Sequence, residues 1–241
     1  MSNRQGLQVI PVLDLQAGQV VRAVRGERAA YRPMQSRLAA GSDPLTLARA
    51  LLAHPRCAGA PPTLYVADLD AILGGAVQLD LLSALLQQLP RLELWLDAGL
   101  ADAAAAHAVI QALGPAAARL RPVFGSESLR DTAALAGIDS VPGAVLSLDT
   151  RLNRALDPAG AWSRPEHWPA TLIVMTLDRV GAASGPDLAQ LDDLRARRPA
   201  ATWVGAGGIR SAQDLAEAQA AGASAWLVAS ALHDGALDPP R

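Results

Sequence analysis

The 241-residue chain has no lysine, so all 21 of its basic side chains are arginines. Without that amine there is no Schiff-base aldolase, no pyridoxal-phosphate anchor and no Walker-type phosphate loop, since each depends on it. Cysteine is nearly absent: Cys57 stands alone, which excludes an internal disulfide and a thiolate metal cluster. Aromatic residues are only 3% and charged residues 18%, with a net charge of -2. A pI of about 6.1 lacks the clustered basic excess that a nucleic-acid backbone requires, so the expected partner is a small molecule and not nucleic acid. No charged N-terminal region leads into a long apolar run, which predicts a cytoplasmic protein with no membrane association.

What is abundant is alanine, 51 residues, in stretches of helical length between short apolar runs. The runs read as strands cover 7–13, 63–69, 92–97, 120–125, 144–149, 171–177, 202–206 and 225–229, and the stretches read as helices cover 44–53, 77–88, 101–112, 128–136, 186–197 and 211–221. Strands apolar on both faces and separated by helices imply a parallel sheet. Eight such units in about 250 residues predict a single (βα)8 TIM barrel, an α/β fold spanning 1–241, with an open doubly wound sheet as the alternative. Residues 151–170, with three prolines, read mostly as loop, and the outer helical ring is incomplete after the eighth strand. An uncovered apolar patch is expected there, which a homodimer would bury; the alternative is that the long first loop or the N-terminus folds over the gap.

The barrel is predicted to consist of two half-barrel repeats. LYVADLD at 64–70 matches LIVMTLD at 172–178, placing Asp70 and Asp178 108 residues apart. WLDAG at 95–99 matches WVGAG at 203–207 at the same offset, pairing Trp95 with Trp203, and Ser126 pairs with Ser230 at an offset of 104. VIPVLDL and AVLSLDT pair Asp14 with Asp149 at 135, so the extra residues fall in a long first loop at 15–43.

In such barrels the chemistry sits at the C-terminal strand ends. Asp14 and Asp149 end the first and fifth strands, on opposite sides of one mouth, and suit base and acid roles; the alternative is that each caps its turn. GAGGIRS at 205–211 is a strand, a glycine turn and a helix start whose N–H groups can cradle an anion without lysine. Together with Ala229 and Ser230 after the eighth strand, Gly207 and Gly208 form a candidate phosphate site. The first half differs. On the 108 offset it has Asp97 where the second has Gly205 and Leu100 where it has Gly208, making Asp97 either a third catalytic acid or a ligand for a substrate hydroxyl or amine, unless it is a buried cap. Ser126, in the small-residue turn beside it, is a candidate substrate contact. Arg22, with Arg25 and Arg28, forms an arginine arm that can close over an anion or lie solvated. The four histidines lack metal-ligand spacing, and no metal or cofactor is expected.

IPVLDLQAGQVVRAVRG at 10–26, LYVADLDAI at 64–72, LSLDTR at 146–151, LDRVGAASGPDL at 177–188, GAGGIRS and VASALHDG at 228–235 together resemble the histidine-biosynthesis barrels. These are phosphoribosylformimino-aminoimidazole-carboxamide ribotide isomerase and its imidazole-glycerol-phosphate synthase relative (HisA/HisF), and the isomerase branch is the more similar. The resemblance implies Asp14 as general base, Asp149 as the facing carboxylate in a ring-opening sugar isomerisation, and a phosphate at Gly207, Gly208 and Ser230. Three features depart from it. The first-half glycine loop is DAGL, where the family carries one such loop per phosphate of its bisphosphorylated substrate. The family's Asp-Gly-Thr turn after strand six falls on Val180, Gly181 and Ala182. Its strand-six threonine falls on Met175 or, with a one-residue shift, on Thr176, the candidate retained here. The departures imply a diverged paralogue, similar to isomerase-like proteins that accompany tetrahydromethanopterin-linked one-carbon genes in some bacteria. The expected activity is isomerase or lyase chemistry on a small phosphorylated metabolite; authentic ribotide isomerisation and non-catalytic metabolite binding are the alternatives.

Overall fold

The computed structural model describes residues 6–23, 31–59 and 61–239. Eight parallel strands carry the fold: β1 (Gln8–Gln16), β2 (Thr63–Asp68), β3 (Glu93–Asp97), β4 (Leu120–Gly125), β5 (Val145–Arg151), β6 (Thr171–Thr176), β7 (Thr202–Ala206) and β8 (Ala225–Val228). Each pairs with its sequence neighbour and β8 pairs with β1, Ile10 opposite Leu227, which closes the barrel. Helices α1 (Pro44–Leu52), α2 (Leu79–Gln88), α3 (Ala103–Leu113), α4 (Thr132–Gly137), α5 (Leu188–Arg197), α6 (Ala212–Ala220) and the one-turn α7 (Ser230–His233) surround it. Their starts follow from side-chain caps: Asp43, Asp102, Asp131, Asp187 and Ser211 each accept a backbone N–H of the first turn. All eight strands and six helices stand where the sequence places them, within a few residues. The open-sheet alternative is thereby excluded.

Strand alternation sorts the apolar residues into two cores. Ile10, Tyr65, Trp95, Val123, Val145, Ile173, Val204 and Leu227 fill the barrel interior, while Leu13, Val66, Leu96, Phe124, Leu148, Val174, Trp203 and Trp226 pack under the helices. Between β5 and β6 the 3-10 turns Ala161–Ser163 and Pro165–His167 stand in place of a helix, with Trp168 buried beneath them.

The strand registers give the two-fold relation its true offsets. Ala67 lies opposite Asp14 and Met175 opposite Asp149; Ala67 lies opposite Asp97 and Met175 opposite Ala206. Asp14 and Asp149 are therefore equivalent, as are Ala67 and Met175, but Asp97 matches Ala206 and not Gly205. The shift from 108 to 109 continues into the helix caps, since Asp102 caps α3 and Ser211 caps α6. Matching Trp95 to Trp203 is thus a one-residue slip, and such a slip reverses the face of every side chain: Trp95 is inside the barrel and Trp203 outside it.

Two further structural findings depart from the sequence reading. The first loop is partly sheet, with Gln19–Arg22 folding back on β1 and Arg32–Pro33 adding to it. The hairpin turn Ala17-Gly18 has its equivalent 135 residues on at Leu152-Asn153, both in the left-handed conformation. The repeat-related Asp70 and Asp178 hold these turns, accepting the Ala17 N–H at 2.9 Å and the Leu152 N–H at 2.5 Å. The apolar patch expected beyond β8 is also missing among the described residues, where the exposed large apolar side chains are Leu73 and Leu152, and the alternative of cover by the first loop holds instead. Leu232, Leu237 and Met34 are buried, and the first loop is tied to the C-terminal turn by Arg37 N–H to the His233 carbonyl, 2.9 Å, and by His233 Nδ1 to Ser36 Oγ, 2.9 Å. No helix among the described residues is long and apolar enough to cross a membrane.

Candidate active site

One cavity opens at the C-terminal strand ends, and Asp14, Asp97, Asp149, Gly207, Gly208, Ala229 and Ser230 all line it. The arginines of the wall are confined to one side among the described residues. Arg151, Arg179 and Arg210 line the second-half side together with Asp149 and Asp234, whereas the described first-half residues contribute Asp14, Asp97 and Glu127 and no arginine. Arg179 is braced by the carbonyls of Gly185 and Pro186 at 2.8 and 3.1 Å, and Arg210 by Asp214 at 2.8 Å.

Asp149 is almost completely buried. The Ser147 hydroxyl donates to its Oδ1 at 2.5 Å, and the Glu127 N–H to its Oδ2 at 3.3 Å. Burial pushes its carboxyl up to about 8; the Ser147 hydrogen bond opposes the rise, while the charges of Asp97 and Glu127 add to it. Burial and the neighbouring carboxylates thus favour the protonated form of Asp149. Asp14, the equivalent group on β1, is also buried, at 9% exposure. Two related carboxyls in one mouth, one of them pushed toward its protonated form by burial, have the layout of an acid–base pair.

The glycine turn is shaped by contacts rather than by flexibility. Gly207 and Gly208 have φ of +81° and +84°, and a Cβ on Gly208 would stand 2.0 Å from the Gly185 carbonyl oxygen. The loop after β6 is sewn to this turn, with Gly185 N–H to the Gly208 carbonyl and Gly208 N–H to the Arg179 carbonyl. Gly205 has no room for a side chain because its Cβ would lie 2.2 Å from the Trp226 ring. Its small size thus serves packing under the helices and not the mouth. Ser230 opens the one-turn α7, which has no side-chain cap; its Leu232 and His233 N–H groups donate to the Ala229 carbonyl.

Three candidates have other roles. Thr176 is turned away from the mouth, its hydroxyl donating to Asp187 Oδ2 at 3.1 Å and to Gln190 Oε1 at 2.9 Å, and Met175 occupies the interior position. The unshifted alignment is therefore the correct one. Ser126 is fully buried behind Asp149; it accepts the Asp149 N–H at 2.9 Å and donates to the Leu156 carbonyl at 2.8 Å, so it supports the carboxyl instead of contacting substrate. Arg22 stands at the rim, but its guanidinium is held by both oxygens of Asp234, at 2.5 and 3.0 Å. Arg25 and Arg28 lie outside the described residues. Cys57 is buried, its thiol pushed up to about 12 by burial, which leaves it inert. Among the described residues no three of His, Cys, Asp and Glu are grouped to hold a metal ion.

Sequence reasoning missed Tyr65. It lies inside the barrel, 3% exposed, and its hydroxyl donates to Asp97 Oδ2 at 3.0 Å. Burial and the charges of Asp97, Asp149 and Asp14 raise its phenol well above the usual value, so it stays a donor. The signal was present: a polar-tipped aromatic at an interior position, two residues before the strand end facing the mouth.

The family model described as "Histidine biosynthesis protein" matches residues 8–238. The chain is 32% identical over 256 residues to a Xanthomonas campestris imidazole-4-carboxamide isomerase whose chemical name carries two phosphoribosyl groups, covering 95% of this chain and 96% of that one. A Cereibacter sphaeroides protein of the same name is 28% identical over 249 residues, 95% of this chain and 94% of its own. The uncharacterized protein MJ0703 of Methanocaldococcus jannaschii is 26% identical over 232 residues, 96% of each. A closed barrel with two-fold registers, a match across nearly its whole length and isomerase relatives at this identity agree: the chain belongs to the histidine-biosynthesis protein family, as an enzyme of the isomerase kind.

Proposed function

We propose that the protein is a proton-transfer isomerase, or a lyase using the same groups, acting on a small sugar-phosphate-like metabolite that carries one phosphate. The carrying observation is the pairing of Asp14 and Asp149 at equivalent strand ends in the cavity that Gly207 and Gly208 also line, with the buried Asp149 carboxyl pushed up to about 8. The phosphate sits at Gly207, Gly208, Ala229 and Ser230, where backbone N–H groups and the start of α7 meet and three arginines share the wall. Asp149 gives its proton to a substrate oxygen as a ring opens and Asp14 takes one from the adjacent carbon; the enol so formed then gives up its hydroxyl proton and takes a proton on the neighbouring carbon, which completes the isomerisation. As many protons enter as leave, so the sequence balances without an oxidant. Acid–base help of this kind is worth about 10²–10⁴ in rate.

The 32% identity over nearly the whole chain favours a second reading, authentic ribotide isomerisation. Against it stand Met175 and Val180, lining the mouth where the family resemblance calls for a threonine and a catalytic acid, and the first-half turn Asp97-Ala98-Gly99, which has one glycine fewer than Ala206-Gly207-Gly208 and carries a carboxylate. A role beside tetrahydromethanopterin-linked one-carbon metabolism is a narrower version of the first reading. Mass spectrometry of ligand co-purified with the protein, followed by turnover of that ligand in deuterated water, tests the proposal. Deuterium incorporated in the product at the isomerised carbon is expected. Turnover of the ribotide at rates typical of enzymes would promote the second reading, and ligand bound without turnover would refute catalysis.

A further inference from the structure

The two-fold relation makes one half of the barrel a control for the other. Ala206, Gly207 and Gly208 after β7 are equivalent to Asp97, Ala98 and Gly99 after β3, and both Ala206 and Asp97 line the mouth. The second-half turn has two successive left-handed glycines, at +81° and +84°; in the first half only Gly99 is left-handed, at +64°. The N–H at this position is engaged in both halves, Gly99 donating to Asp97 Oδ1 at 3.1 Å and Gly208 to the Arg179 carbonyl at 3.1 Å, so the difference between the turns lies in the Asp97 carboxylate and in the second glycine. Asp97 Oδ2 receives the Tyr65 hydroxyl at 3.0 Å. A carboxylate clamped by two donors thus stands where the other half presents a methyl group.

We infer that Asp97 is a specificity-determining residue: it closes the first-half turn to a second phosphate and accepts a hydrogen bond from a hydroxyl or amino group at that end of the substrate. The inference rests on the reading that the single phosphate is anchored in the second-half turn. A carboxylate can only accept hydrogen bonds, so it pairs with O–H or N–H groups and opposes phosphate oxygens. Tyr65 is its positioning residue, since a phenol that stays protonated holds one oxygen in place and leaves the carboxylate facing the mouth.

The test is calorimetric titration of the full chain with fructose 6-phosphate and fructose 1,6-bisphosphate, which differ by one hydroxyl replaced with phosphate. The wild type is expected to bind the monophosphate at least about tenfold more tightly, and Asp97→Ala combined with Ala98→Gly, which copies the second-half turn, to erase or invert that ratio. Asp97→Asn keeps the size and the Tyr65 contact and should lower the ratio in part, which covers the case in which the double variant does not fold. Equal or tighter wild-type binding of the bisphosphate, or a ratio unchanged in both variants, overturns the inference. Ser230→Asp separates this from the anchor. It should abolish monophosphate binding; persistence would refute the second-half anchor itself, and absence of any monophosphate binding to the wild type would refute both.

Discussion

The Tyr65 hydroxyl and Asp97 Oδ2, 3.0 Å apart on adjacent strands, form a partly buried donor–acceptor pair lining the mouth. Hydrogen bonds to charged groups contribute about 1.5–3 kcal/mol. Tyr65→Phe should therefore leave the barrel folded while lowering the preference for monophosphate over bisphosphate several-fold. Alkaline titration followed by phenolate absorbance supplies a second measure: the Tyr65 signal should appear only with unfolding and vanish in the variant. A Tyr65 phenol that ionises at the ordinary value in the folded protein would contradict this pairing.

Asp149 makes stability pH-dependent in a known direction. Its folded pKa, about 8, lies above the ordinary 3.8, so between these values the folded state holds a proton that the unfolded state has released. Stability contributed by this group is full below about pH 4 and falls as pH rises toward 8, by at most about 1.4 kcal/mol per pH unit. Asp149→Asn removes the loss. Its melting temperature relative to wild type should climb from pH 5 to 8 and level off above that; a constant difference would show that Asp149 is ionised in the folded protein.

His233 acts in the opposite window. Burial, with Arg22 nearby, lowers its imidazole to about 4 from 6.5, while Asp234 opposes the shift. As pH falls from 6.5 toward 4 the unfolded state takes up a proton that the folded state refuses, so stability contributed here is lost on acidification. His233→Gln should flatten the decline in acid denaturation curves, and an unchanged slope would argue that the imidazole is free to protonate.

Asp14→Asn should retain the circular dichroism spectrum and lose turnover by about 10²–10⁴, because a buried strand-end carboxyl in the mouth serves proton transfer more than packing. Loss of the fold with this change would mean that Asp14 is a structural cap.

Gly208→Ala should be far more harmful than Gly18→Ala. Both positions are left-handed, but a Cβ meets nothing within 4 Å at Gly18 and the Gly185 carbonyl at 2.0 Å at Gly208. Gly18→Ala should cost about 1–2 kcal/mol from conformation alone, whereas Gly208→Ala must also part the two loops and disrupt anion binding. Equal melting temperatures for the two variants would refute the close approach.

The eight strands, their order and the helix starts were legible in the amino-acid sequence, because runs apolar on both faces, caps such as Asp43 before Pro44 and glycine turns are local signals. So was the placement of Asp14, Asp149, Gly207, Gly208 and Ser230 at one mouth, since a two-fold repeat of strand-end residues leaves few other arrangements. The face each side chain presents was not. Trp95 and Trp203 invited alignment because both are tryptophan, yet one fills the barrel and the other packs under the helices, and only the hydrogen-bond register corrects the offset. The same parity decides between Met175 and Thr176. Ser126 and Arg22 were found as polar residues near the site, but their partners, Leu156 and Asp234, lie 30 and 212 residues away in the chain. Composition and spacing determine which elements form and where polar groups recur. Register and long-range partners decide which of those groups face the mouth, because a shift of one residue along a strand turns a side chain from one face of the sheet to the other.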